Sequence, residues 1–397
     1  MTTNGEVKVG RGETPFEKAA LGFRNYWYPL CRSKDVRVRP SSIQIMGEKV
    51  AVMRRNGKPY AVLDECPHRG VPLSLGRYYF PGSDTISCRF HGFTFDLTNG
   101  ACVAALADGP ESPVVGKIRV RTFPLEERKG IVWIWMGRDA PVPLEEDVPN
   151  LLLRDSTIVK WRDRIIEGNW RYHAQADAGH FPTTHHDAMA LLPLVWHAHL
   201  PGYEPMLIED PVDGGEWVIH TAKGMVEQDD YPGLGKWPPK RLWRRVQSKA
   251  GGAGPPIQGT GHQGLRMPGL LRVPHWPMNG AFHYEWYVAI DEDHYRYVQV
   301  NAYFPSNPLT WLWTQLWHHL WADPMRNGRF NQQDAAMSKG ATDFERKRGA
   351  HWPTPLFAPD RYALAFIDLA NRTARGEAAQ PTGESLPAVA GGAEGGA

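Results

Sequence analysis

The segments Cys66-Pro67-His68 and Cys88-Arg89-Phe90-His91 decide the fold of the first third of this 397-residue chain. Each segment offers one thiolate and one imidazole at short spacing, and 19 residues separate the two segments. Mixed Cys/His pairs suit a two-iron two-sulfur cluster in which one iron takes two Cys and the other takes two His. Because neutral imidazoles raise the reduction potential of such a cluster, we expect it to accept electrons from a ferredoxin.

Both pairs lie at the ends of predicted strands. Segments rich in β-forming residues, separated by turn signals such as Asn56-Gly57 and Asn99-Gly100, predict hairpins around each pair. The predicted strands are 42–46, 49–53, 60–63, 85–88, 93–97, 118–123 and 131–135. We therefore expect an all-β module from about residue 35 to 137, followed by a proline-punctuated linker at 140–149.

A structural zinc site is the alternative interpretation of two Cys and two His ligands. Zinc fingers usually pair Cys with Cys and His with His, so the mixed pairs argue against zinc. Four unrelated core residues are a further alternative, but the Pro and Gly beside each pair are typical of shaped loops. The other two cysteines, Cys31 and Cys102, have no His at ligand spacing and are expected to be ordinary core residues.

Length and composition indicate an intracellular enzyme with two domains. A chain of 397 residues exceeds what one core usually supports, and four Cys make a disulfide framework improbable. The net charge of +2 gives no reason to expect nucleic acid or a charged membrane surface as a partner. Because the N-terminus lacks a signal-peptide pattern and no apolar stretch reaches membrane-spanning length, we expect cytoplasmic localisation.

A second constellation begins at Asp177-Ala-Gly-His180. Asp177 and His180 would share a helix face, and Pro182 should bend the chain before His185, so that two imidazoles converge. Two His completed by one carboxylate make the facial triad of non-haem Fe(II) oxygenases, which leaves positions open for dioxygen and substrate. The carboxylate must come from elsewhere in the chain. Two nearby histidines are rival ligands, His173 and His186.

Together, these motifs resemble the catalytic α subunit of Rieske non-haem iron ring-hydroxylating oxygenases, over residues 20–375. The resemblance implies an α+β fold, with an all-β Rieske domain followed by an α+β catalytic domain on a central antiparallel sheet of the helix-grip, START-like type. The implied division is an N-terminal segment packing on the catalytic domain (1–34), a Rieske domain (35–150) and a catalytic domain (151–375). The remaining residues, 376–397, are rich in Gly and Ala and are expected to be disordered.

The resemblance also implies the residues of both metal sites. The family's ligands correspond to Cys66, His68, Cys88 and His91 for the [2Fe-2S] cluster, and to His180, His185 and Asp334 for the mononuclear iron. Asp334 is chosen because Phe330-Asn-Gln-Gln-Asp334 is similar to the family's carboxylate segment; Asp343 and Glu345 are its rivals. Asp177 is expected to link His180 to His91 of a neighbouring subunit, which makes the expected active form a homotrimer.

Three segments, 21–29, 284–291 and 329–334, bring the likeness closest to family members that oxidise carbazole. The implied function is a terminal oxygenase that receives electrons from NADH through a reductase and a ferredoxin. It would use O2 to dihydroxylate a polycyclic or heterocyclic aromatic, by angular dioxygenation in the case of carbazole. A Rieske monooxygenase or an O- or N-demethylase is the alternative, because it would use the same metals.

The chain departs from those carbazole-oxidising members near the iron. They have one residue fewer between the two iron-binding His residues, and a Gly where Gln175 stands here, which puts substrate contacts near Gln175 in doubt. The residues expected to contact the substrate are Gln175, Leu265, Trp276 and Phe330.

Overall fold

A computed structural model of the chain describes residues 14–179, 203–222, 263–274, 276–277, 280–348, 355 and 360–376. It begins with a short helix, α1 (Pro15–Lys18), which Thr14 and Glu17 cap reciprocally. A 3-10 turn at Ala19–Leu21 follows and leads into the first strand. Within the described ranges, the structure contains no helix long and apolar enough to cross a membrane.

The first module consists of short antiparallel strands, as its hairpin signals predict. The strands are β1 (Trp27–Arg32), β2 (Ser41–Ile45), β3 (Glu48–Arg55), β4 (Lys58–Leu63), β5 (Thr85–Ser87), β6 (Phe93–Asp96), β7 (Cys102–Ala105), β8 (Thr122–Phe123), β9 (Leu125–Arg128) and β10 (Ile131–Trp135). They form three sheets, in the orders β2-β3-β4-β8, β5-β6-β7 and β1-β10-β9. β1, from the N-terminal segment, therefore pairs with the last long strand of this module.

The segment at 140–149 is packed rather than loose. Leu144 and Val148 are fully buried, and Asp147 is 2% exposed. The Asp147 carboxylate accepts hydrogen bonds from the Trp27 backbone N–H at 2.9 Å and from the Arg375 guanidinium at 2.8 Å. The segment that its prolines predict to be a linker therefore connects β1, near the beginning of the described chain, with Arg375, near its end.

The second module is a seven-stranded antiparallel sheet with helices. Its strands are β11 (Ile158–Glu167), β12 (Tyr203–Glu209), β13 (Glu216–Ala222), β14 (Gly264–Arg266), β15 (Leu270–Pro274), β16 (Phe282–Ala289) and β17 (His294–Tyr303), in the order β11-β17-β16-β15-β14-β13-β12. Its helices are α2 (Asn150–Leu153), α3 (Trp170–Gly179), α4 (Pro308–Trp317), a π-helical segment (His318–Phe330), α5 (Asn331–Arg348) and α6 (Asp360–Thr373). This confirms the expected α+β fold.

Strand β16 has both faces buried, because every residue in it is covered. Successive side chains of a strand point to opposite faces. On one face, Trp286 packs against Trp133 of β10, with ring centroids 5.5 Å apart, so the core continues from the first module into the second. The opposite face carries His283, Glu285 and Tyr287, and α3 packs against this part of the sheet as well as against α5 and α6.

Candidate metal centres

The two Cys/His loops are turns of the same kind. In the first loop, the Cys66 N–H donates to the carbonyl of Val71 at 2.9 Å, and the Gly70 N–H donates to the carbonyl of Cys66 at 2.8 Å. The second loop repeats both bonds: Cys88 donates to Phe93 at 2.7 Å, and Gly92 donates to Cys88 at 3.0 Å. Gly70 and Gly92 have φ values of 68° and 75°, a backbone conformation that favours glycine. Two loops of different sequence spacing therefore present their ligands in matching ways.

The four side chains divide into a buried pair and a surface pair. Cys66 and Cys88 are each 2% exposed, and their thiols lie close enough to interact. The imidazoles of His68 and His91 lie nearer the surface, with their Nδ1 atoms 3.2 Å apart. This division fits a cluster in which one iron takes two thiolates and the other takes two imidazoles.

The surroundings of the Cys66 sulfur also fit coordination to a positively charged metal. Burial raises the pKa of the Cys66 thiol to about 12, and the neighbouring Cys88 contributes to the increase. Backbone N–H groups of His68 and Arg69 donate to its sulfur and oppose that increase. A coordinating metal deprotonates a thiol outright, and the two N–H groups would stabilise the resulting thiolate.

The single-metal alternative requires at least three ligand side chains around one point. Among the residues that the structure describes, no three His, Cys, Asp or Glu side chains converge as one metal ion requires. The two remaining cysteines behave as predicted for core residues: Cys102 is 1% exposed, and Cys31 is half-buried with its pKa raised by burial to about 12.

The second predicted centre is described only in part. Asp177 lies in the last turn of α3, but the side chains of Gln175 and Asp177 are outside the described part of the chain. His180, His185 and the rival His186 also lie outside the described residues. The other rival, His173, is fully buried, and its Nδ1 contacts the hydroxyl of Tyr295.

Burial distinguishes Asp334 from its two rivals. Asp334 lies in the first turn of α5 and is 6% exposed. Asp343 is exposed on the same helix and accepts a hydrogen bond from Lys339 at 2.9 Å, in an exposed ion pair. Glu345 is half-buried, and desolvation raises its pKa, which disfavours the charged form that a metal prefers.

The structure brings two of the predicted substrate contacts together. The rings of Trp276 and Phe330 lie 4.7 Å apart at 42°. Phe330 is 8% exposed and directly precedes α5, while Leu265 is fully buried in β14. Leu265 pairs with Leu271, and Leu271 pairs with Glu285, so Leu265 and Glu285 project from the same face of the sheet.

A buried polar group on this face was not predicted from the sequence. We call it the Glu285 cluster, and it consists of His283, Glu285, Tyr287, Tyr297 and Asn331. Glu285 Oε1 contacts His283 Nε2 at 2.6 Å and accepts from the Tyr297 hydroxyl at 2.5 Å and from Asn331 Nδ2 at 2.6 Å. Glu285 Oε2 accepts from the Tyr287 hydroxyl at 2.8 Å. Alternating polar residues in an otherwise apolar strand, His283-Tyr-Glu285-Trp-Tyr287, were the available signal.

The carboxyl group of Glu285 is held in its charged form. Burial alone would raise its pKa, but His283 and the Tyr297 hydroxyl outweigh burial and lower the pKa below its ordinary value. The cluster therefore places a carboxylate with its donors beneath the helices that cover the sheet.

Comparison with known protein families agrees with this architecture. Residues 26–124 match the Rieske [2Fe-2S] domain, and residues 243–378 match the family described as homotrimeric ring hydroxylase. The chain is 31% identical over 378 residues to the terminal oxygenase component of carbazole 1,9a-dioxygenase from a Sphingomonas species. That alignment covers 91% of this chain and 94% of the relative.

Two solved structures extend the likeness to three dimensions. A fluorene-bound complex of oxygenase and ferredoxin from carbazole 1,9a-dioxygenase matches with a TM-score of 0.76 and 27% identity, over 91% of this chain and 94% of that one. A 2-oxoquinoline 8-monooxygenase component with a Rieske [2Fe-2S] centre matches with a TM-score of 0.75 and 26% identity, over 92% of this chain and 89% of that one. The chain is thus homologous to these oxygenases and belongs to the Rieske-type aromatic ring-hydroxylating dioxygenase family, as an oxygenase component.

Proposed function

We propose that this chain is a terminal oxygenase that takes electrons from a ferredoxin and uses O2 to dihydroxylate a polycyclic or heterocyclic aromatic. One observation carries the proposal: the His68 and His91 imidazoles meet near the surface while the Cys66 and Cys88 thiols meet in the interior. An electron donor can approach the cluster from the side of the imidazoles, and the two buried cysteines would hold the cluster from the interior. When bound, a Rieske cluster supplies one-electron transfer at a raised potential, and a ferrous iron held by two His and one carboxylate supplies the position for dioxygen.

The residue assignments belong to this proposal. The cluster would be held by Cys66, His68, Cys88 and His91, and the mononuclear iron by His180, His185 and Asp334. The burial of Asp334 in the first turn of α5 supports its role over that of the exposed Asp343. Asp177 would hydrogen-bond to His180 in its own subunit and to His91 of a neighbouring subunit. The proposal also divides the chain into an N-terminal segment (1–34), a Rieske domain (35–150), a catalytic domain (151–375) and a C-terminal tail (376–397).

A ferredoxin partner and a homotrimer follow from the relatives. The carbazole 1,9a-dioxygenase structure is a complex of oxygenase with ferredoxin, and the family matched by residues 243–378 is described as homotrimeric. Arg69 and Arg89 are exposed beside the imidazoles and would contact the ferredoxin. An NADH-dependent reductase would pass electrons to the ferredoxin. The proposed localisation is the cytoplasm, and the lack of a signal-peptide pattern at the N-terminus supports it.

The proposed substrate is carbazole. The carbazole 1,9a-dioxygenase relative spans nearly the full length of this chain, and the apolar side chains Leu265, Trp276 and Phe330 suit a flat aromatic ring. Gln175 is the remaining proposed contact. Dioxygenation at the carbon that bears the nitrogen would give an unstable product, which would open to an aminobiphenyl diol.

Single-turnover product analysis tests this function. The reduced, iron-loaded protein would be mixed with carbazole and labelled dioxygen, and the product would be identified by mass spectrometry. Two labelled oxygen atoms in an aminobiphenyl diol are expected. One labelled atom would favour a monooxygenase, the alternative that the similar fold of 2-oxoquinoline 8-monooxygenase supports. No product from carbazole, at full iron content and with a normal Rieske spectrum, would overturn the substrate assignment.

A further inference from the structure

One buried carboxylate contacts α5, which carries the proposed iron ligand Asp334, and through Tyr287 it contacts α3, which ends at Gly179 just before the proposed ligand His180 in the sequence. Glu285 is 3% exposed and lies on the sheet face that these helices cover. Its Oε1 contacts Asn331 of α5, and its Oε2 contacts Tyr287, which touches α3. The two carboxylate oxygens of Glu285 therefore contact two different helices, α5 directly and α3 through Tyr287.

The contact with α5 fixes the first turn of that helix. Asn331 Nδ2 donates to Glu285 Oε1 at 2.6 Å and to the Tyr297 hydroxyl at 2.7 Å. Asp334 follows three residues later, so it lies on the same face of α5 as Asn331. The chain just before Asn331 is π-helical, with wider turns than an α-helix. The hydrogen bonds from Asn331 to Glu285 and Tyr297 therefore fix how the first turn of α5 is rotated about the helix axis. The direction of the Asp334 side chain follows from that rotation.

The contact with α3 is made through stacked rings. The Tyr287 hydroxyl donates to Glu285 Oε2 at 2.8 Å, and the Tyr287 ring stacks on His173 of α3 at 4.6 Å and 29°. His173 and Asp177 are four residues apart in α3, so the two positions share one face of that helix, and His180 follows three residues after Asp177 in the sequence. Movement of Tyr287 would thus displace α3, the helix that ends just before His180 in the sequence.

From this arrangement we propose that Glu285 is a positioning residue for the mononuclear iron, which aims Asp334 through Asn331 and supports α3 through Tyr287. The inference rests on the proposed function, since it takes Asp334 as an iron ligand. A structural role alone explains the cluster poorly, because burying a carboxylate with its donors stabilises a fold no better than apolar side chains of the same volume. The opposite face of β16 shows that apolar packing works at this strand, where Trp286 meets Trp133.

Two matched substitutions separate positioning from simple loss of a buried bond. Tyr297→Phe removes the hydroxyl that donates to Glu285, and Tyr284→Phe removes a hydroxyl that donates to the carboxylate of Asp213 at 2.9 Å. Both tyrosines are fully buried, and they project from opposite faces of the sheet. Glu285→Gln is the direct variant, since an amide nitrogen cannot accept the bonds that a carboxylate oxygen accepts.

The measurement is the affinity for Fe(II) of the full chain, with its cluster retained and its mononuclear iron removed, in competition with a chelator. Loss of an outer-shell partner of a metal ligand typically costs about 10- to 100-fold in affinity. We expect losses in this range for Tyr297→Phe and Glu285→Gln, and less than about a twofold change for Tyr284→Phe, with equal loss of thermal stability in the two tyrosine variants. Cobalt(II) bound in place of iron should show an altered visible spectrum only in Tyr297→Phe and Glu285→Gln.

Asp334→Ala, measured in the same assay, separates this inference from the function on which it rests. If Asp334→Ala loses Fe(II) while Tyr297→Phe and Glu285→Gln bind it as Tyr284→Phe does, the positioning role is wrong and the ligand assignment stands. If Asp334→Ala binds Fe(II) normally, the ligand assignment is wrong and the positioning role is overturned with it.

Discussion

Replacement of Gly92 by Ala is expected to damage the second cluster loop far more than the same change at Gly70 damages the first. Both glycines close a Cys/His turn and have positive φ values, 75° and 68°. A side chain at Gly92 would place its Cβ 2.5 Å from the Cβ of Leu106, a distance that real Cβ atoms essentially never show. At Gly70, no described atom lies within 4 Å of an added Cβ.

The size of the difference follows from the bonds around Gly92. The left-handed backbone costs an L-residue about 1–2 kcal/mol, and both variants incur this cost. To relieve the clash at position 92, the chain at Leu106 must move away. That movement weakens two backbone hydrogen bonds, from Leu106 to the Gly92 carbonyl at 3.2 Å and from Ala107 to the His91 carbonyl at 3.3 Å. With each bond contributing about 0.5–1.5 kcal/mol, we expect Gly92→Ala to lose about 2–5 kcal/mol in total.

The assay is denaturant unfolding of the cluster-containing protein, followed by the visible absorbance of the cluster. Electron paramagnetic resonance of the reduced protein would report the geometry of the two His ligands, because Gly92 directly follows His91. We expect Gly70→Ala to retain a normal resonance spectrum and Gly92→Ala to show a broadened or lost one. Equal stability and identical spectra in the two variants would refute the argument, since the clash with Leu106 would then have no effect on the loop.

Three further predictions concern the second module. Asp334→Ala should lose the mononuclear iron and keep the cluster. Asp343→Ala should keep both metal groups, and the loss of its exposed ion pair with Lys339 should lower the unfolding free energy by no more than about 0.5 kcal/mol. Metal analysis and unfolding of the two variants test this. Phe330→Leu should raise the KM for an aromatic substrate by about 2- to 10-fold, because the proposed contact between the substrate ring and Phe330 would contribute about 0.5–1.5 kcal/mol beyond its buried area. Unchanged steady-state kinetics would contradict this. The pKa of Glu285 in the folded protein lies below its ordinary value of 4.5, so the stabilisation from its charge is present above pH 4.5 and is lost as the pH falls through the folded pKa. The difference in unfolding free energy between the wild type and Glu285→Gln should therefore become smaller in acid. Unfolding measured at several pH values would show this.

The features that sequence predicts well in this protein are local ones. The Cys/His loops are six-residue turns closed by their own backbone, so the residues that matter lie within one segment, such as Cys66 to Val71. The strands that flank them follow from short alternating runs and turn residues such as Asn56-Gly57. The segment at 140–149 shows the limit, because its prolines predict a linker but not that Asp147 would become buried against Trp27 and Arg375.

The sequence marks polar residues in β16, but it could not predict that they form the Glu285 cluster, for a physical reason. A strand with one solvated face alternates apolar and polar residues, and that alternation identifies its buried side. In β16 both sides are buried, so the charged and aromatic residues at 283–287 give no sign of which face meets the first module. The partners are also remote in the sequence, since Asn331 is 46 positions from Glu285 and β17, which pairs with β16, lies between them. Polar residues that interrupt a fully covered strand are therefore best interpreted as bonded to one another, and their position beneath α3 and α5 connects the register of this sheet to the direction of Asp334, the proposed iron ligand.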